Sequence, residues 1–208
     1  MKLNDKPIEL NSDEFRSTVK LLVDSYAIDC IIETGTYLGT GSTMVFAETR
    51  LPVVTLECVK ENVDKARENL ASFPNVTVLH ATSLSITEML NAIVEMSNRE
   101  YPDNIRCDVT DPTNFYICEI DHDVEFEDVL GEIIDSTPNR KLVFLDSSGG
   151  VGYAEAKFVI SKCLGKPVVL MFDDIDHVKH YYTGDLLRSV GKDVNISGDG
   201  RFAWSFLG

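Results

Sequence analysis

Residues 31–48 read IIETGTYLGTGSTMVFAE: an apolar start of strand type, glycines at 35, 39 and 41, and then a run of helix type. Glycine lacks Cβ, so Gly35, Gly39 and Gly41 permit positive φ and let a ligand approach the backbone where a strand turns into a helix. The free N–H groups at the start of that helix give the turn a polar edge. Glycine-rich turns also occur in α/β proteins that bind nothing there, so this loop takes its meaning from its surroundings.

On both sides of the loop, short apolar runs alternate with longer amphipathic ones, which predicts βαβ units in a doubly wound, mostly parallel sheet. Ser12-Asp13-Glu14 reads as the capped start of a helix carrying Phe15, Val19, Leu21, Leu22 and Tyr26, most of them on one face. Strands are expected at 30–32, 53–56, 76–79, 142–145 and 168–172, with helices at about 41–50, 60–71, 86–96, 124–135 and 153–164. Residues 98–123, with two prolines and many acids, break the pattern and read as an insertion serving as a lid or a homodimer surface. His122, within it, reads as a solvated side chain. The tail alternates about Gly198-Asp199-Gly200, a hairpin signal that implies an antiparallel strand near one edge, with Phe202 and Trp204 as core residues.

At 208 residues and 44% hydrophobic, the chain suits one domain with a real core. Nineteen basic residues against 34 acidic ones leave a net charge of −15, which repels nucleic-acid phosphate and anionic membranes and favours a small neutral or cationic ligand. Five scattered cysteines without a C-x-x-C pair fit neither a disulfide framework nor a zinc knuckle. Together with the lack of an apolar leader or a long apolar run, they give the expectation of a cytoplasmic protein.

Glu57 ends the second strand, 22 residues after Gly35. In a doubly wound sheet that places a carboxylate across the crevice from the loop, where it can accept hydrogen bonds from both hydroxyls of a ribose. A dinucleotide needs glycine two residues after the first one of the loop, and here that position is Tyr37, which would crowd a pyrophosphate. An NAD-type oxidoreductase is therefore the second reading, against which the expected absence of a Tyr-x-x-x-Lys pair and of a hydride-relay His also speaks. A protein that keeps the pocket without chemistry is the third.

Asp146 closes the fourth strand and Asp173-Asp174 the fifth. The carboxyl ends of neighbouring strands line one crevice, so these three carboxylates are expected to converge. Three like charges repel, a divalent cation relieves that, and ligation by oxygen alone suits Mg²⁺.

The run Glu33-Thr34-Gly35-Thr36-Tyr37-Leu38-Gly39-Thr40-Gly41-Ser42 resembles the first motif of class I S-adenosylmethionine-dependent methyltransferases, and is similar to its E-x-G-x-x-x-G form in small-molecule O-methyltransferases. The order of elements from residue 12 to 208, closing hairpin included, matches as well. The resemblance implies a single Rossmann-like domain over 1–208 with a seven-stranded sheet. S-adenosylmethionine would be the cofactor, with Gly35, Thr36, Tyr37, Gly39 and Ser42 about its methionine part. Glu33 would lie near its charged end, Glu57 on its ribose, and Thr82 and Ser83 beside adenine, where the family has an Asp.

The aspartates are similar to the metal ligands of the catechol, caffeoyl-type and macrolide-sugar O-methyltransferases. That implies Mg²⁺ on Asp146, Asp173 and Asp174, activating a hydroxyl of a small-molecule substrate. The family often places a Lys or His base shortly after the fourth-strand Asp, but here Ser147-Ser148-Gly149-Gly150 follows. His177, a few residues beyond the fifth strand, is the candidate base beside Asp146, with His180 behind it.

Overall fold

KLVFL at 141–145 and VVLMF at 168–172 are buried at every position, as strands covered by helices on both faces must be. The computed structural model describes residues 10–107, 109–120 and 123–208, so His122 lies outside the described residues. The first half of the chain forms α1 (Asp13–Tyr26), β1 (Cys30–Thr34), α2 (Ser42–Glu48), β2 (Val53–Glu57), α3 (Lys60–Asn69), β3 (Val76–His80) and α4 (Ile86–Ser97). After it come α5 (Pro112–Cys118), α6 (Leu130–Ser136), β4 (Lys141–Leu145), α7 (Gly149–Cys163), β5 (Val168–Phe172), α8 (Thr183–Ser189), β6 (Asn195–Ile196) and β7 (Ala203–Phe206).

The sheet has seven strands in the order β3-β2-β1-β4-β5-β7-β6. All neighbours are parallel except at the C-terminal edge, where β7 runs antiparallel to β5 and β6. The order reverses between β1 and β4, the topological switch point at which such sheets open a crevice. Register then fixes what faces that crevice: Thr34 pairs with Leu56 and Leu145, and Leu145 with Phe172. The residues that follow, Gly35, Glu57, Asp146 and Asp173, emerge side by side.

One face of the sheet packs Phe144 and Met171 against Phe15, Phe46 and Phe202; the other packs Val143, Leu145 and Phe172 against Leu130, Val159 and Leu187. Phe15 meets the ring of Phe202 at 5.3 Å, edge to face, so Phe202 is core as expected. Helix starts follow the sequence: Ser12 accepts from the Phe15 amide, and Ser85 forms a capping box with Glu88 at the head of α4.

Two expected helices have other bounds. The one placed at 124–135 covers only Leu130–Ser136, because residues 125–129 instead bond to the backbone beyond β3, with Thr82 donating to Phe126 O and Val129 to Thr82 O. The last helix before β5 starts at Gly149, four residues early. Residues 176–180, whose histidines have helical spacing, form turns. The insertion holds α5, whose Tyr116 joins Ile120, Met89, Ile93 and Val151 in a cluster between α4 and α7. Among the described residues no helix is long and apolar enough to cross a membrane.

Candidate functional site

The crevice holds a cavity of about 400 Å³, running from the glycine loop and Glu57 past Thr82 and Ser83 to Asp146, Asp173 and Asp174. That is within the range of small-molecule sites. Gly35 sits at φ +81°, and a Cβ there would lie 2.5 Å from the Asp146 carbonyl oxygen, so no other residue lets the loop pass the end of β4 so closely. The Gly35 and Thr36 amides donate to Leu56 O, which ties the loop to β2.

Glu57 lines the cavity and is held by the main chain. The Tyr37 amide donates to its Oε2 at 2.7 Å and the Val59 amide to its Oε1 at 2.9 Å. Burial raises its pKa, and these two amides oppose the rise. Tyr37 adopts φ +50° and leaves its ring half exposed at the cavity mouth. Thr36, Gly39, Ser42, Thr82 and Ser83 line the cavity too.

Glu33 does not. It is wholly buried behind the loop, accepting from the hydroxyls of Ser42, Thr43 and Thr55 at 2.6–2.7 Å. Burial lifts its pKa to about 7 against the pull of the three hydroxyls. Its observed work is to fasten the first turn of α2 to β1 and β2, in place of the contact with the charged end of a ligand expected of it.

A second buried carboxylate escaped sequence reasoning. Glu155, in the middle of α7, accepts from Thr34 Oγ1 and Ser147 Oγ at 2.8 Å and from Ser83 Oγ, joining the ends of β1, β3 and β4 beneath the cavity floor. The one available signal was an acid within an otherwise apolar helix face. Thr82 is likewise turned to structure: its Oγ1 accepts from the Asp128 amide at 3.2 Å. The insertion supplies a wall through Tyr116, Glu119 and Ile120, and Glu119 Oε2 accepts from Ser148 Oγ at 3.1 Å.

The three aspartates converge, with one oxygen of each within 4.8 Å of the others. Protein cations already hold them. Lys179 Nζ lies 2.5 Å from Asp146 Oδ1 and 3.2 Å from Asp174 Oδ2. Arg201 chelates Asp173 through Nε and Nη2, both at 3.2 Å, while Arg106, from the insertion, donates to Asp174 Oδ1 at 2.6 Å and also to Asp176. Among the described residues, Asp146 Oδ2 is thus the one oxygen of the six with no cation on it.

Burial raises Asp146 to about 6 against the field of Lys179. Burial and the neighbouring Asp146 charge raise Asp173 to about 7. Burial opposes ionisation of Asp174 as well, but Lys179 and Arg106 overcome it and leave its pKa below the usual carboxylate range. Lys179 is held charged by the three carboxylates despite its burial.

A site built for Mg²⁺ needs carboxylate oxygens free of other cations. Here three carboxylates face three protein cations, and the donor set does not fit a divalent ion.

The histidines are elsewhere. His177 is 3% exposed and outside the cavity lining, its Nδ1 accepting from the Lys179 amide. His180 packs on Phe172 and bonds Thr183 Oγ1 through Nδ1. Burial, not helical spacing, decides their environment, so the expectation of a base at His177 is not met by its position. The buried cation of this segment is Lys179, between the two histidines. The Tyr-x-x-x-Lys spacing expected to be absent is present, at Tyr153 and Lys157. It lies on α7 outside the main cavity, with Lys157 paired to Glu95 and the Tyr153 ring under Arg99.

No family model and no curated protein matches the chain. Solved structures do match in fold. An O-methyltransferase from Bacillus cereus in complex with SAH superposes with a TM-score of 0.53 at 17% identity, over 97% of this chain and 84% of that one. A protein described as a caffeoyl-CoA O-methyltransferase from Staphylococcus aureus gives 0.56 at 17% identity, over 99% and 87%. Precorrin-6y C5,15-methyltransferase from Geobacter metallireducens gives 0.56 at 11% identity, over 99% and 98%. The fold of this chain is that of the Rossmann-like methyltransferases.

Proposed function

We propose that the protein is an S-adenosylmethionine-dependent methyltransferase that methylates a hydroxyl group of a small molecule. The observation that carries this reading is the single continuous cavity whose lining joins the loop at Gly35, Glu57 and Asp146. Its residues suit the cofactor: glycine at 35 lets the loop lie against the end of β4, and the carboxylates of Glu57 and Glu119 in the lining favour a ligand bearing a sulfonium and an ammonium.

When bound, S-adenosylmethionine supplies an electrophilic methyl group on sulfur. Glu57 would accept hydrogen bonds from the ribose hydroxyls, the Thr82–Ser83 segment and the Tyr116–Ile120 wall would enclose the base, and the glycine loop would hold the methionine end, leaving the acceptor the side of the cavity at Asp146. In-line displacement needs mainly alignment, which these fixed walls provide.

Asp146 Oδ2 takes the proton of the attacking hydroxyl. Burial makes this carboxylate a stronger base than an ordinary aspartate while leaving it ionised at neutral pH. A net charge of −15 repels nucleic-acid phosphate and favours a small-molecule acceptor.

A panel of hydroxylated small molecules incubated with methyl-labelled S-adenosylmethionine tests the reading. Label should pass to an acceptor, and Asp146→Asn should lower kcat by about 100-fold or more while leaving cofactor affinity within about threefold. Undiminished turnover in Asp146→Asn would remove Asp146 from the chemistry.

A further inference from the structure

We propose that Lys179 is the resident cation of the Asp146–Asp173–Asp174 cluster, so that the site works without a divalent metal ion. The geometry makes the case. Lys179 lies behind the cavity wall, only 5% exposed, and its ammonium bridges Asp146 and Asp174. It thereby takes the position of a cation shared by the ends of β4 and β5.

The remaining charge is met from two other elements. Arg201, just before β7, chelates Asp173, and Arg106 of the insertion clasps Asp174. Arg106 is fixed there by the main chain as well, its amide donating to Asp176 O at 2.8 Å and its carbonyl accepting from the Val178 amide. Each of the three strand-end carboxylates therefore already has a protein cation on it, where a divalent ion needs carboxylate oxygens that no other cation holds.

The consequence for catalysis rests on the methyl-transfer reading. Lys179 is then a positioning residue: it holds Asp146 by Oδ1 and leaves Oδ2 turned to no other cation. The acceptor hydroxyl meets a carboxylate, not a metal-bound water shell.

Binding of Mn²⁺, followed by electron paramagnetic resonance and calorimetry on the intact chain, tests the proposal without any methyl donor. Failure of the methyl-transfer reading would therefore leave the result intact. The wild-type protein should bind no Mn²⁺ at this cluster up to about 1 mM, whereas Lys179→Met, which removes the charge and keeps the chain length, should bind it about tenfold tighter or more.

Wild-type binding at tens of micromolar that Asp146→Asn abolishes overturns the proposal, as does a folded Lys179→Met that gains no affinity. Thermal melts accompany each titration. Should Lys179→Met not fold, the wild-type result decides alone: no binding supports the proposal and binding overturns it. Turnover unchanged by chelator in the wild type gives a second, independent readout.

Discussion

Gly35→Ala isolates the contact on which the cavity depends. A Cβ at this position would lie 2.5 Å from the Asp146 carbonyl oxygen and 2.7 Å from its carbonyl carbon, below the 3.0 Å that real Cβ atoms respect. The loop must therefore draw back from β4 by about 0.5 Å or more against bonds from two of its amides to Leu56 O. Gly165 provides the control, because it has nearly the same φ, +80° against +81°, but open space where its Cβ would go.

Gly165→Ala should cost only the left-handed conformation, about 1 kcal/mol. Gly35→Ala adds the clash, about 2 kcal/mol more, for a total of about 3 kcal/mol and a fall in Tm of about 6–12 °C. Urea unfolding of both variants, with m-values compared, measures the difference directly. Equal costs for the two substitutions would refute the claim that close approach to Asp146, and not backbone conformation alone, selects glycine at 35.

Other groups give measurable consequences. The folded pKa of Glu33, about 7, lies above its ordinary 4.5, so the folded state binds the extra proton between them and this group's contribution to stability falls as pH rises through that window, by about 3 kcal/mol in all. Glu33→Gln should flatten that part of the decline between pH 5 and pH 8 in urea unfolding; Asp146 and Asp173, shifted in the same sense, keep the remaining slope, and a slope unchanged in the variant would contradict the assignment. Arg201→Met strands the buried carboxylate of Asp173 and should cost about 2–4 kcal/mol at pH 8. The cost should shrink at pH 5, where that carboxyl is protonated, and a pH-independent loss would mean that Arg201 acts through packing alone.

Strands were legible because a parallel strand covered on both faces must be apolar throughout, and the strand ends carry the loop, Glu57 and the aspartates. Their meeting in one crevice follows from register alone. What sequence could not show is direction and partnership. Glu33 and Glu57 both sit in strands beside the loop, yet the hydroxyls of Ser42, Thr43 and Thr55 draw one behind the sheet end while main-chain amides hold the other at the cavity.

Lys179 and Glu155 gain their roles from residues far along the chain. A lysine between two histidines suggests a solvated surface until the turns at 176–180 bury it. The segment 124–129 has a helix-like pattern, but free main-chain groups beyond β3 compete for it and win.

Calorimetric titration of the intact protein with S-adenosylmethionine, S-adenosylhomocysteine and NAD, repeated with Glu57→Ala, is the most direct test of the account. The first two should bind in the micromolar range and NAD should not, and loss of the ribose contacts in Glu57→Ala should weaken the first two by about 10–100-fold. Tight binding of NAD, or affinity for S-adenosylmethionine that survives Glu57→Ala unchanged, would contradict it.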